Sequence, residues 1–203
     1  MGDKKISDAL GSHPVMVFPD DYEVFDFSEG FNPKQVQQFI DSGKRAVGGY
    51  LEKRKNMYVA PQYQNRRNVH MGIDFWAPAE EPVYTPFPGV VAYTRNNAQM
   101  GNYGPTIVLQ HVIDGVKIFA LYGHLSAHSL EELQAGDTLQ AGDVVGRLGN
   151  FNENGKWPPH LHYQLSILDP GEADMPGVVS EDEAEKASVI YPDPRLFIGQ
   201  LYG

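Results

Sequence analysis

Two short stretches, His70-Met71-Gly72-Ile73-Asp74 and His160-Leu161-His162, constrain this chain more than any others. Each places metal-competent side chains two or four residues apart. On a β-strand, even separation means a shared face. His70, Gly72 and Asp74 then line one side, with Met71, Ile73 and Phe75 packed behind. His160, His162, Gln164 and Ser166 share a second polar row, backed by Leu161, Tyr163, Leu165 and Ile167. The pattern predicts two strands, each polar on one face, that meet across a sheet around one divalent metal.

The chain around them has the texture of short strands. Val90-Val91-Ala92-Tyr93 follows Gly89, and residues 106–110 and 117–122 flank Asp114-Gly115. Asp-Gly between two β-rich runs predicts a hairpin. Gln134-Ala135-Gly136-Asp137 is echoed by Gln140-Ala141-Gly142-Asp143, the first suited to a tight turn and the second leading into Val144-Val145. Strands at this spacing, cornered by glycine, predict a mainly β fold: an antiparallel sandwich or open barrel.

The flanks read differently. Val15-Met16-Val17-Phe18 suits an edge strand. Asn32-Pro33 suits a helix start, with Val36, Phe39 and Ile40 on one face and Gly43 as the stop. A second helical piece is expected near Tyr50–Lys55, its basic run facing solvent. Gly171 to Glu185 is acidic and rich in small residues, which predicts a surface loop. A short helix then starts near Glu181–Lys186, and Arg195-Leu196-Phe197-Ile198 forms a closing segment. The expected organisation is a partly helical N-terminal extension over 1–67, a core over 68–169, and an acidic loop with closing segment over 170–203.

Composition narrows the partners. With 203 residues the chain can bury a core without covalent staples, and it has no cysteine, so thiolate metal sites and cysteine nucleophiles are excluded. A formal net charge of -10 argues against nucleic acid. No apolar run approaches the roughly 20 residues of a transmembrane helix. Met1 to Pro14 lacks the apolar core of a secretory leader, leaving the cytoplasm, or an exported location after leader removal.

Histidine with aspartate suits zinc, and a catalytic zinc takes three protein ligands and keeps one open position. His70, Asp74 and His162 supply three. His160, on the same strand face, and His124, in Leu121-Tyr122-Gly123-His124-Leu125, are then free to move protons. Each pair alone has a plainer reading as a structural hydrogen bond, and two histidines on one strand face occur in other metal folds. The coincidence of both pairs with His124 favours the metal. His13, His111 and His128 receive no role.

These residues resemble the lysostaphin-type, LytM-like zinc metallopeptidases. The likeness lies in His-x-Gly-x-Asp (His70 to Asp74), in Leu-Tyr-Gly-His-Leu (Leu121 to Leu125) and in His-x-His (His160 to His162). It extends to Val83-Tyr84-Thr85-Pro86 with Gly89-Val90-Val91, and to Ala141–Gly149. It spans roughly residues 68–168. The resemblance implies one zinc per chain held by His70, Asp74 and His162, with His124 and His160 as catalytic histidines. It also implies an antiparallel fold of the duplicated-hybrid-motif type with an open groove, and a peptide or peptidoglycan substrate.

Three rival classes remain at this level. One is a non-enzymatic LytM-like binding or activator module with a structural metal site; family scaffolds of that kind usually lack ligands, whereas all five positions are present here. A cupin-type barrel also uses His-x-His but calls for a glutamate shortly afterwards, where this chain reads Tyr163-Gln164-Leu165-Ser166. A histidine phosphocarrier of the hybrid-motif type needs no Asp74 and no metal.

Overall fold

The computed structural model describes residues 13–63, 66–199 and 201. Residues 1–12 of the expected N-terminal extension lie outside them. The body is one sheet of eight strands, in the order β1-β2-β4-β11-β8-β7-β6-β9. These are β1 Glu23–Phe25, β2 Ala46–Gly48, β4 Ile73–Trp76, β6 Gly89–Asn97, β7 Gly104–Ile113, β8 Val116–Gly123, β9 Thr138–Leu139 and β11 His160–Ser166. Two ribbons complete it: β5 Pro82–Tyr84 with β10 Val144–Arg147, and β3 Val69–His70 with β12 Val178–Val179. Every pairing is antiparallel except β1 with β2. The fold is therefore mainly β, as the strand texture predicts. Among the described residues no helix is long and apolar enough to cross a membrane.

Strand alternation sorts the sheet into two faces. Ile73 and Phe75 from β4, Ala120 and Tyr122 from β8, and Leu161, Tyr163 and Leu165 from β11 point into one apolar core. Val83 and Val145 of the small ribbon close that core, with Leu125 and Leu148. The opposite face carries Asp74 and the polar row of β11. It is covered at one end by Tyr103, Val108, Phe119, Leu121, Ala173 and Met175. At the other end Trp76 packs with Phe27, Val36, Ile40 and Trp157. A cleft of about 390 Å³ opens near the β4–β11 pair, on that face.

Local chemistry explains the connections. Helix α1, Pro33–Asp41, begins at Asn32, whose side chain accepts from the Lys34 and Gln35 amides, and Pro33 occupies the first turn. Gly43 follows it at φ +85°. Asp114 and Gly115 join β7 to β8 at φ 50° and 80°, as a two-residue hairpin demands. The two Gln-Ala-Gly-Asp repeats make the same turn. In each, the Asp carboxylate accepts the Gln amide, at 2.8 Å for Asp137 and 2.7 Å for Asp143.

The structure corrects several expectations. Residues 15–18 form no strand; Val15 and Met16 instead bury their side chains in the core. Residues 50–55 are not helical. Leu51 and Arg54 donate backbone hydrogen bonds to His70 and Asn68 at 2.8 Å each, and Lys53 bridges Val69, so the segment behaves as an edge of β3. Ile167 lies beyond β11 and is exposed. The stretch from Gly171 to Glu185 is not a plain surface loop: Ala173, Met175, Val178 and Val179 are buried, and β12 pairs with β3. Its acidic composition hides four apolar side chains that face inward. The short helix expected after it is Ala184–Ile190, and the closing segment Arg195–Ile198 is a helical turn that buries Phe197.

His111 gives a test of this packing. It is fully buried in β7 against the edges of the Phe87–Phe197 ring pair, its Nδ1 donates to the Pro88 carbonyl at 2.9 Å, and its Nε2 has no partner among the described residues. Burial holds its pKa below the usual histidine value, against a small opposing pull from the Pro88 hydrogen bond. The unfolded chain then binds the extra proton first as pH falls below about 6.5. Its stabilising contribution is complete above that value and declines as the pH falls toward the folded pKa. Replacing His111 with leucine is expected to flatten the loss of melting temperature between pH 7 and 5. The difference from wild type is at most about 1.4 kcal/mol per pH unit for one group. Parallel melting curves for the two proteins would contradict this.

Candidate metal centre

The five residues singled out by pattern meet in one cleft. The antiparallel pairing of β4 with β11 puts Asp74 opposite His162 and Trp76 opposite His160. On the other side of β11, His162 lies opposite Gly123, so β8 delivers His124 one residue beyond its end. His124 turns out of the strand at φ +64°, in the left-handed region.

One detail departs from the alternation argument. His70 and Asp74 do not share a continuous strand: β3 ends at His70, the chain bends, and β4 starts at Ile73. Met71 accordingly packs with Val69, Val179 and Ala187 rather than with Ile73 and Phe75. Gly72 makes the bend fit. A Cβ there would stand 2.7 Å from His162 Cε1 and 2.8 Å from the Tyr163 carbonyl oxygen. The missing side chain is what lets the imidazole lie over the backbone.

Carbonyl acceptors fix the four rings. His70 Nδ1 donates to the Gly49 carbonyl at 2.8 Å, leaving Nε2 as a lone pair. His162 Nε2 donates to Gln164 Oε1 at 2.9 Å, leaving Nδ1. His160 Nδ1 donates to the Pro158 carbonyl and His124 Nδ1 to the Asn154 carbonyl, each at 2.8 Å, so both keep a lone pair at Nε2. A backbone carbonyl only accepts, so it dictates the tautomer. His160 is further clamped by Trp76, stacked at 4.0 Å with 18° between planes. The His124 and His160 rings lie 4.2 Å apart.

Three lone-pair atoms converge. His70 Nε2 lies 3.0 Å from His162 Nδ1 and 3.3 Å from Asp74 Oδ1, and His162 Nδ1 lies 3.2 Å from the same oxygen. All three side chains are buried. Three acceptors facing one another with no proton to share repel unless a cation lies among them. Four-coordinate zinc, with ligands at about 2.0–2.1 Å, has ligand–ligand edges of about 3.3 Å. The donor set and its spacing therefore fit such an ion, and among the described residues this is the group suited to hold one.

Electrostatics agree with that arrangement. Burial pulls the pKa of His70 and of His160 down to about 4, and the Arg54 charge adds to both. Burial, with His160 and His162 nearby, holds His124 well below the usual histidine range. Burial alone would raise the Asp74 carboxyl, but His70 and Arg54 outweigh it and keep it well below the carboxylate range. His70 is therefore neutral and Asp74 charged at pH 7, the forms in which a histidine and an aspartate bind a metal.

Two contributors escape the pattern reading. Arg54 is fully buried and donates to Asp74 Oδ2 at 2.6 Å, whereas a solvated basic run was the expectation. Its signal is alternation: Glu52 and Arg54 are two apart and face inward, while Lys53 between them and Lys55 beside them remain in solvent. Tyr103 places its hydroxyl 3.4 Å from His162 Nε2 and donates to the Met175 carbonyl at 3.0 Å. Nothing in its local sequence marks it. Tyr58, Tyr63, Arg67 and Trp157 also line the cleft.

Comparison with known proteins finds similarity to one family and to several of its relatives. A match to Peptidase family M23 covers residues 68–174. The chain is 35% identical over 99 residues to the DD-carboxypeptidase/endopeptidase Mpg of Neisseria meningitidis, a stretch that is 49% of this chain and 20% of that protein. It is 34% identical over 125 residues to the peptidoglycan DD-endopeptidase ShyA of Vibrio cholerae, 60% of this chain and 26% of that one. The chain thus spans about a quarter or less of the curated relatives it matches. The catalytic domain of the prophage-encoded M23 protein EnpA from Enterococcus faecalis is 27% identical, with a TM-score of 0.42 over 56% of this chain and 77% of that one. With more than half of the sequence matched, and with the motifs His70–Asp74, Leu121–Leu125 and His160–His162 brought into one cleft, the chain belongs to peptidase family M23, the family of LytM and lysostaphin.

Proposed function

We propose that the protein is a zinc-dependent metalloendopeptidase that hydrolyses a peptide bond in peptidoglycan cross-bridges or stem peptides. The observation that carries this reading is the convergence of His70 Nε2, Asp74 Oδ1 and His162 Nδ1 at 3.0–3.3 Å, with two further imidazole lone pairs at the same cleft. The Neisseria DD-carboxypeptidase/endopeptidase and the Vibrio peptidoglycan DD-endopeptidase to which the chain is similar support peptidoglycan as the substrate class.

His70, Asp74 and His162 would hold the metal, which when bound supplies Lewis acidity and an acidified water. The rest follows from this chain's own groups. His160 Nε2 stands 3.9 Å from Asp74 Oδ1, beside the ligand triangle, and the His124 ring packs against it, tilted by 36°. Both rings have their Nδ1 proton committed outward, so each Nε2 can only accept at first. One of the pair takes the proton of the attacking water. Only then does that ring carry an N–H that can donate, first to the developing oxyanion and then to the departing amine. Burial favours the neutral ring at the start, so the base is ready at pH 7 and the charged form passes its proton on readily.

Assaying the purified full chain on cross-linked muropeptides and on glycine-rich peptides tests this. New free amines should appear with zinc, disappear with a chelator and return when zinc is restored. Failure of the zinc-loaded protein to cleave any member of the panel would favour the non-enzymatic binding module.

A further inference from the structure

Arg54 lies upstream of the family-matched region, yet it reaches the centre of the site. The ladder between residues 51–54 and 68–70 delivers it: Leu51 N–H donates to the His70 carbonyl at 2.8 Å, His70 N–H to Glu52 at 3.0 Å, and Arg54 N–H to Asn68 at 2.8 Å. From there Nη1 donates to Asp74 Oδ2 at 2.6 Å and to the Tyr58 hydroxyl at 2.9 Å. Nε donates to Glu52 Oε2 at 2.5 Å, while Glu52 Oε1 accepts the Phe27 amide at 2.7 Å. Gly48 pairs with Asp74 in register, and a Cβ there would stand 3.3 Å from Nη2. The channel that admits the guanidinium is thus shaped by β2, and the same upstream segment supplies the Gly49 carbonyl that orients His70.

The two Asp74 oxygens are divided by this arrangement. Oδ1 faces the imidazole lone pairs, and Oδ2 is occupied by Arg54. A buried guanidinium is costly unless its pairing is specific, so a grip on a single ligand oxygen is an expensive way merely to anchor a loop. We propose that Arg54 is a positioning residue of the metal centre: by holding Asp74 Oδ2 it presents Oδ1 alone to the metal. Residues 46–54 then complete the site rather than decorate it. This inference rests on the reading of His70, Asp74 and His162 as ligands.

Cobalt(II) substitution in the full chain tests it, because its visible absorption reports coordination directly. Wild type should bind Co(II) with one defined spectrum. Arg54→Lys keeps the charge but cannot span Glu52 and Asp74 with a planar fork. It should bind Co(II) about 10–100-fold more weakly, the usual effect of losing an outer-shell partner, with changed band intensity as the second oxygen becomes available. The double variant Glu52→Gln/Arg54→Met removes the guanidinium without stranding the Glu52 charge, and should show the same spectral change. Cooperative melting without metal identifies a folded variant. A folded variant whose Co(II) affinity and spectrum match wild type overturns the positioning role and leaves the ligand assignment standing. Wild type that binds no Co(II) overturns both.

Discussion

Replacing His162 with alanine is expected to remove metal retention and peptide hydrolysis together. Its Nδ1 is one corner of the lone-pair triangle, 3.0 Å from His70 Nε2 and 3.2 Å from Asp74 Oδ1. Loss of an outer-shell partner alone costs about 10–100-fold in metal affinity, and loss of a ligand costs more. The zinc affinity, read by competition with a chromophoric chelator, should therefore fall by more than about 100-fold. The fold should survive, because the opposite face of β11, with Leu161, Tyr163 and Leu165, is untouched and holds the core. Melting of the metal-free protein checks that. Unchanged zinc affinity in a folded variant would remove His162 from the ligand set.

His160→Ala and His124→Ala should separate chemistry from metal binding. Neither ring belongs to the triangle, and each Nδ1 is anchored to its own backbone carbonyl, on Pro158 and Asn154. Zinc content should stay at the wild-type level while kcat/KM falls by about 10²–10⁴-fold, the range typical of a general acid–base residue. The rings lie 4.2 Å apart and act on one proton, so the double variant should lose little more than the worse single one. Multiplying effects would instead indicate two independent roles.

Much of this site is legible in the sequence because strand alternation is a rigid rule. Once His160-Leu161-His162 is read as β, the apolar residues between and after the histidines fix which face is core, and the structure agrees from His160 through Ser166. The Asp114-Gly115 hairpin is legible for a similar reason, since few other residues tolerate both positive φ values. The break at Gly72 is not legible. His70 and Asp74 converge there by bending the chain against His162, a contact 90 residues away in sequence that alternation cannot foresee. Arg54 is hidden differently. Lys53-Arg54-Lys55 has the composition of a solvated face; alternation sets Arg54 on the side of Glu52, but the tertiary position of Asp74 is what makes burial of that one cation favourable. The segment 171–185 is similar: six of its fifteen residues are acidic and set its composition, while Ala173, Met175, Val178 and Val179 do the packing.

The most direct test of the account is anomalous diffraction at the zinc edge from crystals of the zinc-loaded protein. One peak is predicted per chain, within bonding distance of His70 Nε2, Asp74 Oδ1 and His162 Nδ1, with His124 and His160 facing it across the cleft and outside its ligand sphere. A peak bound elsewhere, or none at these three atoms, would contradict the account.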